Sequence, residues 1–195
     1  MRLSSMERLA GGSARHAVGF AGLATALAAV SIWAAPGPPG LLGAGLAVIM
    51  LAIAVIDARF FIIPNGLSAA GLALALVNAA VLAPHAMAEA VALAALRGAV
   101  LALLFLALRA IYRRLRGREG IGLGDVKLAG VAGAWLTVST IPIAIEIAAL
   151  SALAVFGVRH YAGGRPLEAA LKFPFGLFLA PSIWLCWLLE VALLG

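Results

Sequence analysis

Long apolar stretches separated by short polar breaks dominate the chain. Seven can be marked, at 17–35, 41–63, 66–83, 91–112, 125–140, 142–158 and 173–194. Most approach the roughly 20 residues that an α-helix needs to cross a bilayer. The fifth and sixth are shorter. Pro142 and the polar run Thr137-Val138-Ser139-Thr140 separate them, which predicts a tight turn rather than one kinked helix. A single helix over 125–158 would be too long for one span without strong tilt. The pattern therefore predicts an all-α, polytopic membrane bundle of about seven transmembrane helices. Residues 1–40 form a basic N-terminal segment with the first span, and residues 41–195 form the membrane domain carrying the chemistry.

Composition agrees with that reading. The chain is 65% hydrophobic and 11% charged, against about 45–50% and about 25% in soluble domains. The formal charge of +6 belongs to loops that meet lipid headgroups and set orientation, and it predicts no nucleic-acid binding. All of the 14 basic residues except Arg97 fall at alternate ends of the spans. They are Arg2, Arg8, Arg15, Arg59, the group Arg109 to Lys127, and Arg159, Arg165 and Lys172. The positive-inside rule then puts the N-terminus in the cytoplasm and the C-terminus outside. The first span also has the layout of a signal peptide, but Pro36 directly after Ala34-Ala35 makes a poor cleavage site. We therefore expect the helix to be retained. The lone cysteine, Cys186, excludes an internal disulfide and reads as a packing residue. His16, His85 and His160 have no metal-ligand spacing, so no metal or other cofactor is expected. Trp33, Trp135, Trp184 and Trp187 read as interface anchors or packing.

Two aspartates stand out against this background. A carboxylate at membrane depth costs roughly 2.5–3.5 kcal/mol on insertion scales, so it usually serves a function. Asp57 lies inside the second stretch, about two turns before Pro64, which should end that helix. Asp125 follows three alternate glycines, Gly120, Gly122 and Gly124, a run able to unwind and admit another backbone. Bland roles exist for both: Asp57 pairing with Arg59, and Asp125 as a helix N-cap. Together they have the makings of a shared-proton pair, one carboxyl activating water and the other protonating a leaving amine. On helix-dipole grounds we expect Asp125, near an N-terminus, to hold the negative charge, and Asp57, near a C-terminus, the proton.

Three blocks resemble the prepilin peptidases, the bacterial type IV leader peptidases, which are membrane aspartyl proteases of the Gly-x-Gly-Asp type. The first is Ile56-Asp57 with Ile63-Pro64-Asn65. The second is Gly122-Leu123-Gly124-Asp125-Val126-Lys127-Leu128, with Gly133-Ala134-Trp135-Leu136 beyond it. The third is Phe173-Pro174-Phe175-Gly176, continuing to Leu179-Ala180. The second is specific, and the likeness runs from about residue 41 to the end. Pro174-Phe175-Gly176 stands where presenilin-like relatives carry Pro-Ala-Leu, which argues for the prepilin branch. The resemblance implies a protease of the bacterial inner membrane with Asp57 and Asp125 as its catalytic pair. It would cut a basic leader from prepilin-like or pseudopilin precursors at the cytoplasmic face, serving pilus assembly or protein secretion. Gly122, Gly124, Lys127, Pro64, Asn65, Pro174, Phe175 and Gly176 would line the substrate cleft. Larger members add a cysteine-rich domain and methylate the new terminus; this chain lacks those cysteines, so we expect peptidase activity alone.

Two readings stand apart from the resemblance. A proton-coupled carrier could use the same aspartates as a relay, but the sequence lacks the internal repeat that would favour one. Arg97 and Glu146, at similar depth from the other face and of opposite sign, are expected to pair as a structural latch.

Overall fold

The computed structural model describes residues 3–117, 120–163 and 174–194. Among these described residues there are seven helices: α1 (Leu3–Ala34), α2 (Pro38–Phe60), α3 (Asn65–Leu82), α4 (Met87–Arg116), α5 (Leu123–Trp135), α6 (Ile141–Gly163) and α7 (Gly176–Leu194). All but α5 are long and apolar enough to cross a membrane. Among the basic residues of the positive-inside argument, Arg2, Arg118, Arg165 and Lys172 lie outside the described residues, as does Phe173 of the third motif block.

Local chemistry sets the helix ends. α2 opens with proline in its first turn, where the missing N–H costs nothing. It stops at Phe60, earlier than Pro64 alone would dictate. Phe61 adopts a left-handed conformation (φ 56°, ψ 35°) and donates its N–H to the carbonyl of Asp57. Asp57 is therefore in the last turn of α2 rather than two turns inside it, and Pro64 precedes α3 as its N-cap. α4 runs past the apolar stretch to Arg116. Gly117 ends it with a left-handed φ of 67° and an N–H bond to the carbonyl of Arg113, and three arginines in the last turn complement the helix dipole.

The break between α5 and α6 falls where the polar run predicts. Leu136 is extended, and the carbonyl of Thr137 accepts the N–H groups of Thr140 and Ile141. Pro142 sits in the first turn of α6, where it is tolerated.

α5 is the buried axis of the bundle. From Val126 to Trp135 only Lys127 and Gly130 escape full burial, and α3, α4 and α7 pack around it. Small residues permit this. A Cβ on Gly98 of α4 would lie 2.8 Å from the carbonyl oxygen of Gly130, and one on Gly133 would lie 2.6 Å from that of Arg97. The two backbones thus touch, the packing that replaces the hydrophobic effect between helices in lipid. Trp135, Trp184 and Trp187 are core residues and Trp33 is 83% exposed, so only the last suits an interface anchor. Cys186 is fully buried, as expected of a packing residue. Hydrogen bonds tie the periphery on. Trp184 Nε1 of α7 donates to Ser31 Oγ of α1 at 2.9 Å, and Glu190 of α7 receives the N–H of Thr137 at 2.7 Å together with the hydroxyls of Thr137 and Thr140.

The proposed latch does not form. Arg97 donates from Nε to the carbonyl of Gly133 at 3.3 Å, while Glu146 is exposed on α6, which packs on α7. Similar depth was the only argument for the pair. Depth does not say which face of a helix a residue occupies, and α5, packed against α4, offers Arg97 a backbone carbonyl.

Candidate active site

The end of α2, the start of α3, the glycine run before α5 and the start of α7 meet at one end of the bundle. Asp57 is 5% exposed there. Its Oδ2 accepts the N–H of Leu177 at 3.0 Å, and the neighbouring N–H of Gly176 is also directed at the carboxylate. The first turn of α7 thus offers its unpaired N–H groups to a side chain from α2, a stabilising arrangement for negative charge.

Asp125 is the third residue of α5 rather than its N-cap. Gly122 is the N-cap, with extended backbone (φ −72°, ψ 150°), and its N–H donates to Asp125 Oδ2 at 3.1 Å. The carboxylate therefore folds back over the Gly-x-Gly turn, the Asp half of a capping box. Both carboxylates meet a helix N-terminus, that of Asp57 through α7 and that of Asp125 through α5, so helix dipoles do not divide charge and proton between them. The sequence does not place α7 beside Asp57; the fold does.

Asp125 lies outside the six spans. Burial pushes its carboxyl up to about 6; the Gly122 N–H opposes this, and the charge of Asp57 raises it further. The two carboxyls are thus within electrostatic reach of each other.

The other residues expected in the cleft lie on or beside α5 and at the starts of α3 and α7. Lys127 Nζ donates to Asn65 Oδ1 at 2.5 Å, which joins the first and second motif blocks through α3 and α5. Pro174 and Phe175 precede α7 and are half-buried, and Gly176 is its buried first residue. Two further contacts were not anticipated. Arg109 of α4 donates from Nη1 to the carbonyl of Ile121 at 2.8 Å, and Gly120 lies against the ring of Tyr112, 2.4 Å from where its Cβ would be. These hold the glycine run against α4. Contacts to backbone carbonyls leave no signature in a sequence. Among the described residues no cluster of three or more His, Cys, Asp or Glu could hold a metal ion. Two carboxyls sharing a water suffice for general acid and base chemistry without one.

The sequence model of the type IV leader peptidase family matches residues 44–157, more than half of the chain. The chain belongs to that family. The match takes in Asp57 and Asp125, and Gly176 lies beyond it. Curated relatives agree. A prepilin leader peptidase/N-methyltransferase of Burkholderia pseudomallei is 43% identical over 88 residues, 45% of this chain and 28% of the relative. That of Neisseria gonorrhoeae is 38% identical over 76 residues, 39% of this chain and 24% of the relative. The leader peptidase HopD of Salmonella typhimurium is 39% identical over 70 residues, 35% of this chain and 44% of the relative. The matched segments thus span less than half the length of each of these relatives. No solved structure matches. Family membership and six apolar helices make this a membrane protein of leader-peptidase type.

Proposed function

We propose that this chain is an aspartic endopeptidase of the bacterial inner membrane. It would remove the basic leader from type IV prepilin-like precursors at the cytoplasmic face, with Asp57 and Asp125 as the catalytic pair. One observation carries the reading: the two aspartates of the chain, 68 positions apart, converge where α2, α5 and α7 meet. Like charges that close do not both ionise readily, so the pair holds one proton. The ionised carboxyl takes a proton from a water molecule as its oxygen attacks the scissile carbonyl. The protonated carboxyl hydrogen-bonds the carbonyl oxygen, and the tetrahedral intermediate collapses when the amine receives a proton and leaves. Placing the N-terminus in the cytoplasm puts the aspartates at the cytoplasmic face, and the basic ends of α2 and α4 beside them support that orientation.

The Salmonella relative's name gives leader peptidase alone, whereas the Burkholderia and Neisseria names add N-methyltransferase. With a single, fully buried cysteine in α7, we assign peptidase activity alone to this chain. Family membership favours the peptidase over a carrier using the same carboxyls. The test is co-expression with a prepilin, read as a gel shift. The wild-type chain removes the leader, and the Asp57→Asn and Asp125→Asn variants do not, although both reach the membrane.

A further inference from the structure

Between the two aspartate elements stands one aliphatic side chain. Ile63, 5% exposed, lies in the corner joining α2 to α3. A Cβ on Gly124, the residue before Asp125, would lie 3.0 Å from Ile63 Cβ and 3.1 Å from both Cγ1 and Cδ1. A Cβ on Gly176, the first residue of α7, would lie 2.7 Å from Ile63 Cδ1 and 2.9 Å from Asp57 Oδ2. One face of the isoleucine thus abuts the start of α5, and its tip abuts the turn of α7 that holds Asp57. The corner itself is stiff. Ile63 is β-branched with restricted χ1, Pro64 follows it with φ −63°, and Asn65 is tied to Lys127.

We propose that Ile63 is a positioning residue, the spacer that sets the separation of Asp57 and Asp125, and that glycine is required at 124 and 176 because Ile63 stands between them. The consequence for rate rests on the peptidase reading, whereas the geometric claim does not. Ordinary core packing would make any loss of volume at Ile63 harmful. A spacer makes a selective loss helpful when a neighbouring glycine is enlarged. The contacts specify which loss. Ile63→Val deletes Cδ1, the Ile63 atom against Gly176 and one of three against Gly124, and keeps the Cβ and Cγ1 that also face Gly124. Ile63→Ala removes the Cγ1 and Cδ1 contacts to Gly124.

Two readouts test this. For geometry, cysteines replace Asp57 and Asp125 in a Cys186→Ser background, and a short bifunctional thiol reagent cross-links them in membranes. Gly124→Ala and Gly176→Ala should each lower the cross-link yield at least threefold. Ile63→Val should restore about half of the loss for Gly176→Ala and clearly less for Gly124→Ala, where Cβ and Cγ1 still stand in the way; Ile63→Ala should recover more of the latter. Gly71→Ala, which would meet Val131 of α5 at 3.2 Å, is the control that neither Ile63 variant rescues. For rate, the same substitutions with both aspartates present should lower kcat on a prepilin in the same order, with KM changing less than twofold. Yields indifferent to these substitutions, or restored alike by Ile63→Val in every background, overturn the spacer. If yields follow the pattern while the wild-type chain cleaves no prepilin, the spacer stands and the peptidase reading falls. If the wild-type chain cleaves but the yields do not respond, the reverse holds.

Discussion

The Asp57 carboxylate, in the last turn of α2, accepts a hydrogen bond from the N–H of Leu177 in the first turn of α7, 120 residues later in the chain. One proposed catalytic group is thereby clamped by the helix that follows the third motif block. The other, Asp125, is held among the described residues by its own turn through Gly122. The two groups are therefore held with different firmness, and burial raises the proton affinity of the less constrained one.

The first prediction is a pH dependence. With Asp125 titrating near 6, pH above that value removes the proton the pair must hold, and the cleavage rate falls as pH rises through it. At lower pH the rate falls again once both carboxyls are protonated, giving a bell. A prepilin cleavage series in liposomes from pH 4 to 9 checks this; a rate still rising at pH 9 contradicts it. In the Asp57→Asn protein the neighbouring charge is gone, so the carboxyl infrared band of Asp125 should titrate lower than in the wild type.

The second concerns Lys127 and Asn65. Their bond is exposed but joins two motif blocks. Lys127→Met and Asn65→Ala should each slow cleavage several-fold, and the double variant should be no slower than the worse single one, since both remove one link. Multiplicative losses would mean that the two side chains act separately.

The third follows from the product. Mature pilin released by this protein alone should carry a free, unmethylated N-terminus by mass spectrometry. One added methyl group at that terminus would overturn the assignment of peptidase activity alone.

The fourth replaces the latch. Arg97 is bonded to Gly133 and Glu146 is not its partner, so their effects on stability should simply add. Arg97→Met should cost about 0.6 kcal/mol, the usual scale of a hydrogen bond between membrane helices, and Glu146→Gln close to nothing. Coupling in the double variant would restore the pair.

The sequence carried the number of helices, the α5–α6 break and the identity of the two aspartates, because apolar length and a charge in an apolar run are one-dimensional signals. It misplaced Asp57 by a turn because Phe61, an ordinary aromatic, takes the left-handed conformation that ends α2. It could not pair Asp57 with α7, Arg109 with Ile121 or Arg97 with Gly133. In each of these bonds one partner is a backbone group that any residue type would present.

The last prediction concerns the end of the bundle away from the aspartates. Glu190 Oε1 receives the N–H and hydroxyl of Thr137 and the hydroxyl of Thr140, and so ties the α5–α6 turn to the last full turn of α7. Hydrogen bonds to a charged acceptor contribute about 1.5–3 kcal/mol each when isolated, but these share one oxygen of a half-buried group, so removing them together should cost about 2 kcal/mol. Glu190→Ala should therefore lower the Tm in detergent by several degrees. Glu190→Gln, whose amide oxygen can still accept, should recover part of the loss. Neither should change the pH profile or the KM of cleavage, because the cluster lies at the far end of α5 from Asp125. A Glu190→Ala protein with unaltered Tm, or one whose cleavage profile shifts in pH, would separate the cluster from this structural role.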